Sequence, residues 1–335
     1  MADTVLLADI GGTNARFALA EPGAGRPLLE DSIQRFPVDA FGSLAEAARH
    51  YLARTGINQT GAAPSRAVFA VAGRVDGDLA RMTNHPWVVS RQRAMEALGL
   101  ESVELVNDFV AQSMAVGLLG DDDIAVLGAP ARIPADGSER TWAVIGPGTG
   151  LGVDALVARG GQAWALATEG GHASFAPGTP EEIAILERLS GEFGRVSNER
   201  IVSGGGLVNL HRAISQIAGV DPGPMQPEDV TAGAEAGDRR CMRAVDVFCA
   251  AFGAIAGDLV LTMGAWSGVY LSGGMVPPLL RSLQHSGFRQ RFEHKGRFAP
   301  NMARVPSVAV LHPHAGLLGC AVIARQSTAM TVATR

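Results

Sequence analysis

The sequence predicts a two-domain α/β protein built on a duplicated strand–glycine turn–strand hairpin. Three observations predict it. Apolar, strand-like runs alternate with segments of helical period over the first third of the chain. The N-terminal stretch VLLADIGGTNARFALA is echoed in layout by TWAVIGPGTGLGVDALV at 141–157, roughly 135 residues later, and such self-similarity marks a repeated unit. Between the copies, residues 119–140 are rich in Asp, Pro, Arg and Gly, the composition of a solvated connection around one short strand, which puts a domain boundary near residue 119.

Taken in order, 5–10 and 15–20 read as a hairpin around the Gly-Gly-Thr turn. Residues 43–53 carry Leu44, Ala47, Ala48, Tyr51 and Leu52 at helical spacing, with Ser43 as N-cap. A strand is expected at 67–71, a short helix at 91–98, a strand at 103–106 and a helix at 109–118. Asp121, Asp122 and Asp123 read as a solvated face rather than a metal site. Residues 268–280 join a strand to a helix through a third glycine turn, with Pro277 in the first helical turn. The Ser/Thr/Ala-rich tail after Gln326 reads as frayed.

With 335 residues, there is enough chain for two well-filled cores. A formal net charge of −5 argues against a nucleic-acid binder. Lys295 is the only lysine, so no Gly-x-x-x-x-Gly-Lys-Ser/Thr P-loop exists, and phosphates must be held another way. In IGPGTGLGVD the sixth position counted from Gly146 or Gly148 is Leu151 or Val153, which disfavours a dinucleotide fold. Cys241, Cys249 and Cys320 form no Cys-x-x-Cys and suit buried thiols in a reducing compartment. The N-terminal stretch has Asp3 and no basic residue before Arg16, unlike a secretory signal. The most apolar stretch, 247–271, holds Asp258 near its middle and reads as a buried helix followed by a strand, not a membrane span. A cytoplasmic protein with no membrane partner is expected.

Three glycine turns follow apolar strands: Gly11-Gly12-Thr13, Gly148-Thr149-Gly150 and Gly273-Gly274. Glycine lets backbone N–H groups approach an anion, and Thr adds a hydroxyl donor. Asp9 ends a strand beside such a turn. Beside a triphosphate it would need a cation between, and Mg²⁺ with Asp9 orienting a bound water fits; an Asx-type turn is the structural alternative. Asn107-Asp108 closes the strand VELV, a place for either a catalytic carboxylate or a helix N-cap. Glu169 and His172 in TEGGHASF, and Glu199 in VSNERIVSGGG, are carboxylates and an imidazole among glycines, suited to sugar hydroxyls. Asn84 and His85, before Pro86-Trp87, read as a satisfied loop.

The ordered set ADIGGTNARFAL, MTNHPW, VNDFVAQSMAV, IGPGTGLGV, EGGHASFAP, ERIVSGGGLVNLHRA, SGGMVP, SGFRQRFEHKGRF and GLLG closely resembles the bacterial-type glucokinases of the sugar kinase–actin–Hsp70 superfamily, over about residues 4–325. The resemblance implies a ribonuclease H-like, actin-like ATPase fold with duplicated phosphate hairpins and a central cleft. It implies a small domain at 1–118, completed by a C-terminal helix at about 310–330, and a large domain at 119–309. ATP would be held by Ala8, Asp9, Ile10, Gly11, Gly12 and Thr13, by Gly148, Thr149 and Gly150, and by Gly273 and Gly274. Glucose would be held by Asn107, Asp108, Glu169, His172 and Glu199, with Asp108 as catalytic base. Family members are often homodimers. Gly205 stands where some relatives carry proline, which is expected to loosen the loop after Glu199. The Cys/His zinc cluster of the related repressor/kinase family is absent from the sequence.

The reaction so implied is transfer of the ATP γ-phosphoryl group to the sugar 6-hydroxyl. Competing readings are a broader hexokinase, a sugar sensor without catalysis, and an ATPase acting on a protein partner. Only eight residues precede Asp9, too few for a DNA-binding helix-turn-helix there. The carboxylates at 169 and 199 argue for a sugar rather than a protein substrate.

Overall fold

A computed structural model describes residues 4–56, 63–83, 85–129 and 139–333. The chain divides into two compact units: Met1–Leu119 with His312–Arg335, and Gly120–Leu311.

The first unit is built on β1 (Val5–Ile10), β2 (Asn14–Ala20), β3 (Leu28–Pro37), β4 (Arg66–Val71), a three-stranded side sheet of β5 (Gly73–Asp76), β6 (Leu79–Met82) and β7 (Val88–Ser90), and β8 (Ser102–Asn107). The main sheet has the order β3-β2-β1-β4-β8. Strands β1 and β2 are antiparallel, as are β2 and β3, while β4 and β8 run parallel to β1. Val5, Leu6, Leu7, Ala8 and Ile10 are all buried, so β1 reads as a near-continuous apolar run because both of its faces are covered.

Helix α1 (Leu44–Thr55) is capped by Ser43, which accepts the N–H of Glu46, and closes on Gly56 at φ 65°. Helix α2 (Arg91–Leu98) repeats the scheme with Ser90 and Gly99. Helix α3 (Asp108–Ala115) starts directly at the end of β8 and passes into a single 3₁₀ turn, Val116–Leu118. The C-terminal helix, Ala315–Ala333, packs on α3, and Gly319 meets the backbone carbonyl of Ala111 where a Cβ would overlap it. The tail beyond Gln326 continues this helix instead of fraying; on the polar side Ser327 donates its hydroxyl to Glu104 at 2.8 Å.

The second unit repeats the first. Its strands are β9 (Ile124–Val126), β10 (Arg140–Pro147), β11 (Leu151–Arg159), β12 (Gln162–Ala167), β13 (Val269–Leu271) and β14 (Ser307–Val310), in the order β12-β11-β10-β13-β14-β9. Leaving out β9, order and strand directions match the first sheet, with β10 in the place of β1. The duplication read from the two glycine hairpins is therefore a duplication of whole sheets. Helices α4 (Pro180–Phe193), α5 (Gly204–Ile217), α6 (Pro227–Glu235), α7 (Arg239–Met263), α8 (Val276–His285) and α9 (Phe288–Glu293) cover it.

Helix α7 is, among the described residues, the one helix long and apolar enough to cross a membrane, and most of it is buried in the core of its own unit. Gly253 and Gly257 let it approach the backbone of α9, where Cβ atoms would press on the carbonyls of Phe288 and Phe292. Asp258, near its exposed side, is paired with Lys295 Nζ at 2.6 Å. All three cysteines are free and buried; burial pushes the Cys241 thiol up to about 11 and the Cys249 thiol up to about 12.

Candidate active site

In the first unit the β1–β2 turn is closed by the N–H of Gly11 donating to the carbonyl of Asn14 at 2.9 Å. Neither Gly11 nor Gly12 takes a positive φ. The turn does not need glycine there for a left-handed backbone. Asp9 does not form the Asx-type turn considered from the sequence. Its Oδ2 accepts from Arg16 Nη1 at 3.3 Å across the hairpin, where the two residues stand in register. Burial raises the Asp9 pKa, and Arg16 offsets part of that rise. A Cβ on Gly316, in the first turn of the C-terminal helix, would lie 2.9 Å from Asp9 Cγ, so the helix start closes over the carboxylate.

The end of β8 divides its work between two residues. Asn107 is the N-cap: its Oδ1 accepts from the N–H groups of Phe109 at 2.8 Å and Val110 at 3.3 Å, and its Nδ2 donates to the carbonyl of Gly73 at 3.0 Å. Asp108 is thereby the first helical residue, half-buried, with the capping already done by its neighbour. Of the two readings open for this pair, capping falls to Asn107.

In the second unit the two remaining glycine turns come together. Gly148 N–H donates to the carbonyl of Gly150 at 2.8 Å. Met275 N–H donates to the carbonyl of Pro147 at 3.1 Å, which stitches the 273–274 turn to the start of the 148–150 turn. Gly273 has φ 94°, and a Cβ there would stand 2.6 Å from the Pro147 carbonyl oxygen, so only glycine fits. Gly148 and Gly274 have open space where a Cβ would go.

Glu169, His172 and Glu199 also meet within this unit. The 3₁₀ turn Gly170–His172 follows Glu169, and the 3₁₀ turn Asn198–Arg200 carries Glu199. His172 stands between the carboxylates, with Nε2 3.9 Å from Glu169 Oε2 and Nδ1 3.9 Å from Glu199 Oε1. Asn198 N–H donating to the Ala173 carbonyl at 2.8 Å holds the two turns together. Gly171 is pressed against the Leu151 carbonyl, so this cluster is seated on the residue that follows the 148–150 turn. Glu169 and His172 are more than half exposed and Glu199 about a third, a polar surface open to hydroxyl groups.

The family model for glucokinase matches residues 6–327. The chain is 63% identical over 321 residues to the glucokinase of Stenotrophomonas maltophilia strain K279a, covering 96% of this chain and 94% of that one. The chain belongs to the glucokinase family. Its fold superposes on the crystal structure of glucokinase from an Antarctic psychrotroph with TM-score 0.86 at 33% identity, covering 96% of this chain and 99% of that one. It also shares the fold of a ROK family glucokinase from Streptomyces griseus, solved in complex with glucose and AMPPNP, at TM-score 0.62 and 18% identity over 96% of this chain and 99% of that one.

For a glucokinase family member, the lone lysine is instructive. Lys295 donates to Asp258 and, at 2.8 Å, to the Ala254 carbonyl, so it is spent on tying α9 to α7. His85 is a satisfied loop residue: Nε2 lies 3.1 Å from Asp39 Oδ1 and Nδ1 accepts from Trp87 N–H at 3.3 Å. Asn84 lies outside the described residues. Gly205 corrects the expectation of a loosened loop, because it sits inside the first turn of α5, capped by Ser203 accepting from Gly206 N–H at 2.9 Å. His211, Asp238 and Cys241 gather at the start of α7. Asp238 Oδ1 there is engaged by the N–H groups of Arg240 and Cys241, and both that helix end and Arg240 itself oppose a cation. Arg16 escaped the sequence reading; a hairpin centred between Gly12 and Thr13 would have put it opposite Asp9.

Proposed function

We infer that this protein is an ATP-dependent glucokinase, transferring the γ-phosphoryl group of ATP to the 6-hydroxyl of D-glucose to give glucose 6-phosphate. The observation that carries the reading is the seating of the Glu169–His172–Glu199 cluster directly on the glycine turn at 148–150, a hydroxyl-binding surface fused to an anion-binding one. Family membership supports it, as does the bound glucose and AMPPNP of the Streptomyces griseus relative.

Glu169, His172, Glu199 and Asn107 bind and orient the sugar hydroxyls; a site built to pair them rejects a sugar lacking one, since its own polar groups would be stranded. Asp108 accepts the proton of the 6-hydroxyl as the oxygen attacks phosphorus, and the leaving ADP oxygen departs in line. The turns at 11–13 and 148–150 receive the phosphate oxygens on amides other than those of Gly11 and Gly148, which close their own turns, with Gly273 and Gly274 beside the adenosine. Ala8 and Ile10 shape the first turn from within β1. Asp9 suits Mg²⁺ held through a water: Arg16 engages Oδ2 and leaves Oδ1 for it. Bound there, the metal supplies charge neutralisation to the phosphates. The site belongs to a cytoplasmic enzyme of sugar entry into glycolysis.

A coupled assay with Mg-ATP tests this, following ADP and sugar phosphate separately with glucose, mannose, fructose, glucosamine and no sugar. One-for-one product formation that requires glucose supports the reading. Equal rates on several hexoses would make it a general hexokinase, ADP without sugar an ATPase, and no turnover a sensor.

A further inference from the structure

Glu199 has two partners within the second unit. Oε2 accepts the N–H of Leu151 at 3.0 Å, and a Cβ on Gly150 would stand 2.6 Å from that oxygen. Oε1 faces Nδ1 of His172 at 3.9 Å. One oxygen thus closes the nucleotide turn at 148–150 while the other belongs to the hydroxyl-binding cluster. The same segment grips the turn again, since Gly204 N–H donates to the Gly148 carbonyl at 2.8 Å. Ser203 fixes the spacing of the two grips by donating to the Glu199 carbonyl at 2.7 Å while it caps α5.

We propose that Glu199 is the coupling element between sugar and nucleotide: its carboxylate holds the sugar through Oε1 and sets the phosphate turn through Oε2. The proposal rests on the glucokinase reading and adds to it an energetic link between the two ligands. A sugar hydroxyl on Oε1 fixes the rotation of the carboxylate, and with it the Oε2–Leu151 bond. The amides at 148–151 are then held in one arrangement before ATP arrives. A second ligand meeting an element already ordered by the first binds more tightly, and the factor is the same in both directions.

Calorimetry on the full chain tests this. Glucose is titrated with and without a non-hydrolysable ATP analogue and Mg²⁺, and the analogue with and without glucose. Each ligand is expected to tighten the other by the same factor, about fivefold or more. Glu199→Asp, one methylene short of spanning both partners, should bring the factor towards one. Gly150→Ala places a methyl where Oε2 sits, on a residue without positive φ, and should do the same with Glu199 intact. Gly150→Ala should also weaken glucose measured without nucleotide by about two- to tenfold, the factor expected from one lost hydrogen bond. Wild-type protein that binds both ligands without coupling overturns the proposal and leaves the glucokinase reading standing. So does a Gly150→Ala protein with unchanged coupling and glucose affinity. Wild-type protein that binds no glucose overturns the glucokinase reading, and the proposal with it.

Discussion

The carboxylate of Asp9 and the guanidinium of Arg16 face each other across the β1–β2 hairpin at 3.3 Å, with the Asp9 side chain only 18% exposed. Burial outweighs this pairing and raises the Asp9 pKa. The sign follows from linkage: a carboxyl that binds its proton more tightly folded than unfolded favours the fold at low pH, and that contribution is lost as pH rises through the folded pKa. Ionised Asp9 is therefore a stability cost at neutral pH. Asp9→Asn should be more stable than wild type at pH 7 in metal-free buffer, with the advantage shrinking as pH falls through the raised folded pKa and gone below the ordinary carboxylate value. It should also lose most of its Mg-ATP turnover. Urea unfolding across pH checks the first part; an Asn variant less stable than wild type at neutral pH would refute it.

Asp108 can be replaced without undoing its helix, because Asn107 supplies the cap through Phe109 and Val110. Asp108→Ala should fold, bind glucose with an affinity near that of wild type, and turn over about 10²- to 10⁴-fold more slowly, the range for loss of a general base. Kinetics paired with glucose calorimetry separate the two effects. Turnover at the normal rate would remove Asp108 from the role of base.

The C-terminal helix depends on Gly319, whose Cα hydrogen faces the Ala111 carbonyl on α3. Gly319→Ala would gain helix propensity of about 1 kcal/mol but must move one helix off the other, at about 1–3 kcal/mol. Net destabilisation is expected in chemical unfolding. Because the same helix closes over Asp9 through Gly316, ATP use should weaken as well. A variant as stable as wild type would show that the two helices can part without cost.

Much of this was legible in the residues, for a physical reason. Central strands such as β1, β4 and β10 are buried on both faces and announce themselves as apolar runs, and Ser43 marked the start of α1 through its cap. The edge strands β3 and β12 did not. In β3 the exposed Glu30 and Asp31 interrupt the apolar pattern, and β12 is Gln162 followed by five apolar residues, so neither shows a two-residue alternation. The side sheet β5–β7 was missed likewise, being short and half exposed. At the candidate site, residue types were readable but neighbourhoods were not. Glu199 is 48 positions from Leu151, and nothing in either local pattern says that a carboxylate oxygen would meet that backbone amide.

Lys295 offers a separate check on how phosphates are held. Its side chain is 10% exposed and its ammonium is bound to Asp258 and the Ala254 carbonyl, so it serves the packing of α9 on α7. Lys295→Met keeps most of the aliphatic stem, leaves Asp258 half exposed to water, and should cost about 1 kcal/mol of stability. Affinity for Mg-ATP should stay within about twofold of wild type, since amides and a metal would carry the phosphates. Unfolding curves and an ATP-analogue titration on the same preparation measure both. A large loss of nucleotide affinity in a folded Lys295→Met protein would mean that the one lysine does reach the phosphates, and that the glycine turns do not hold them unaided.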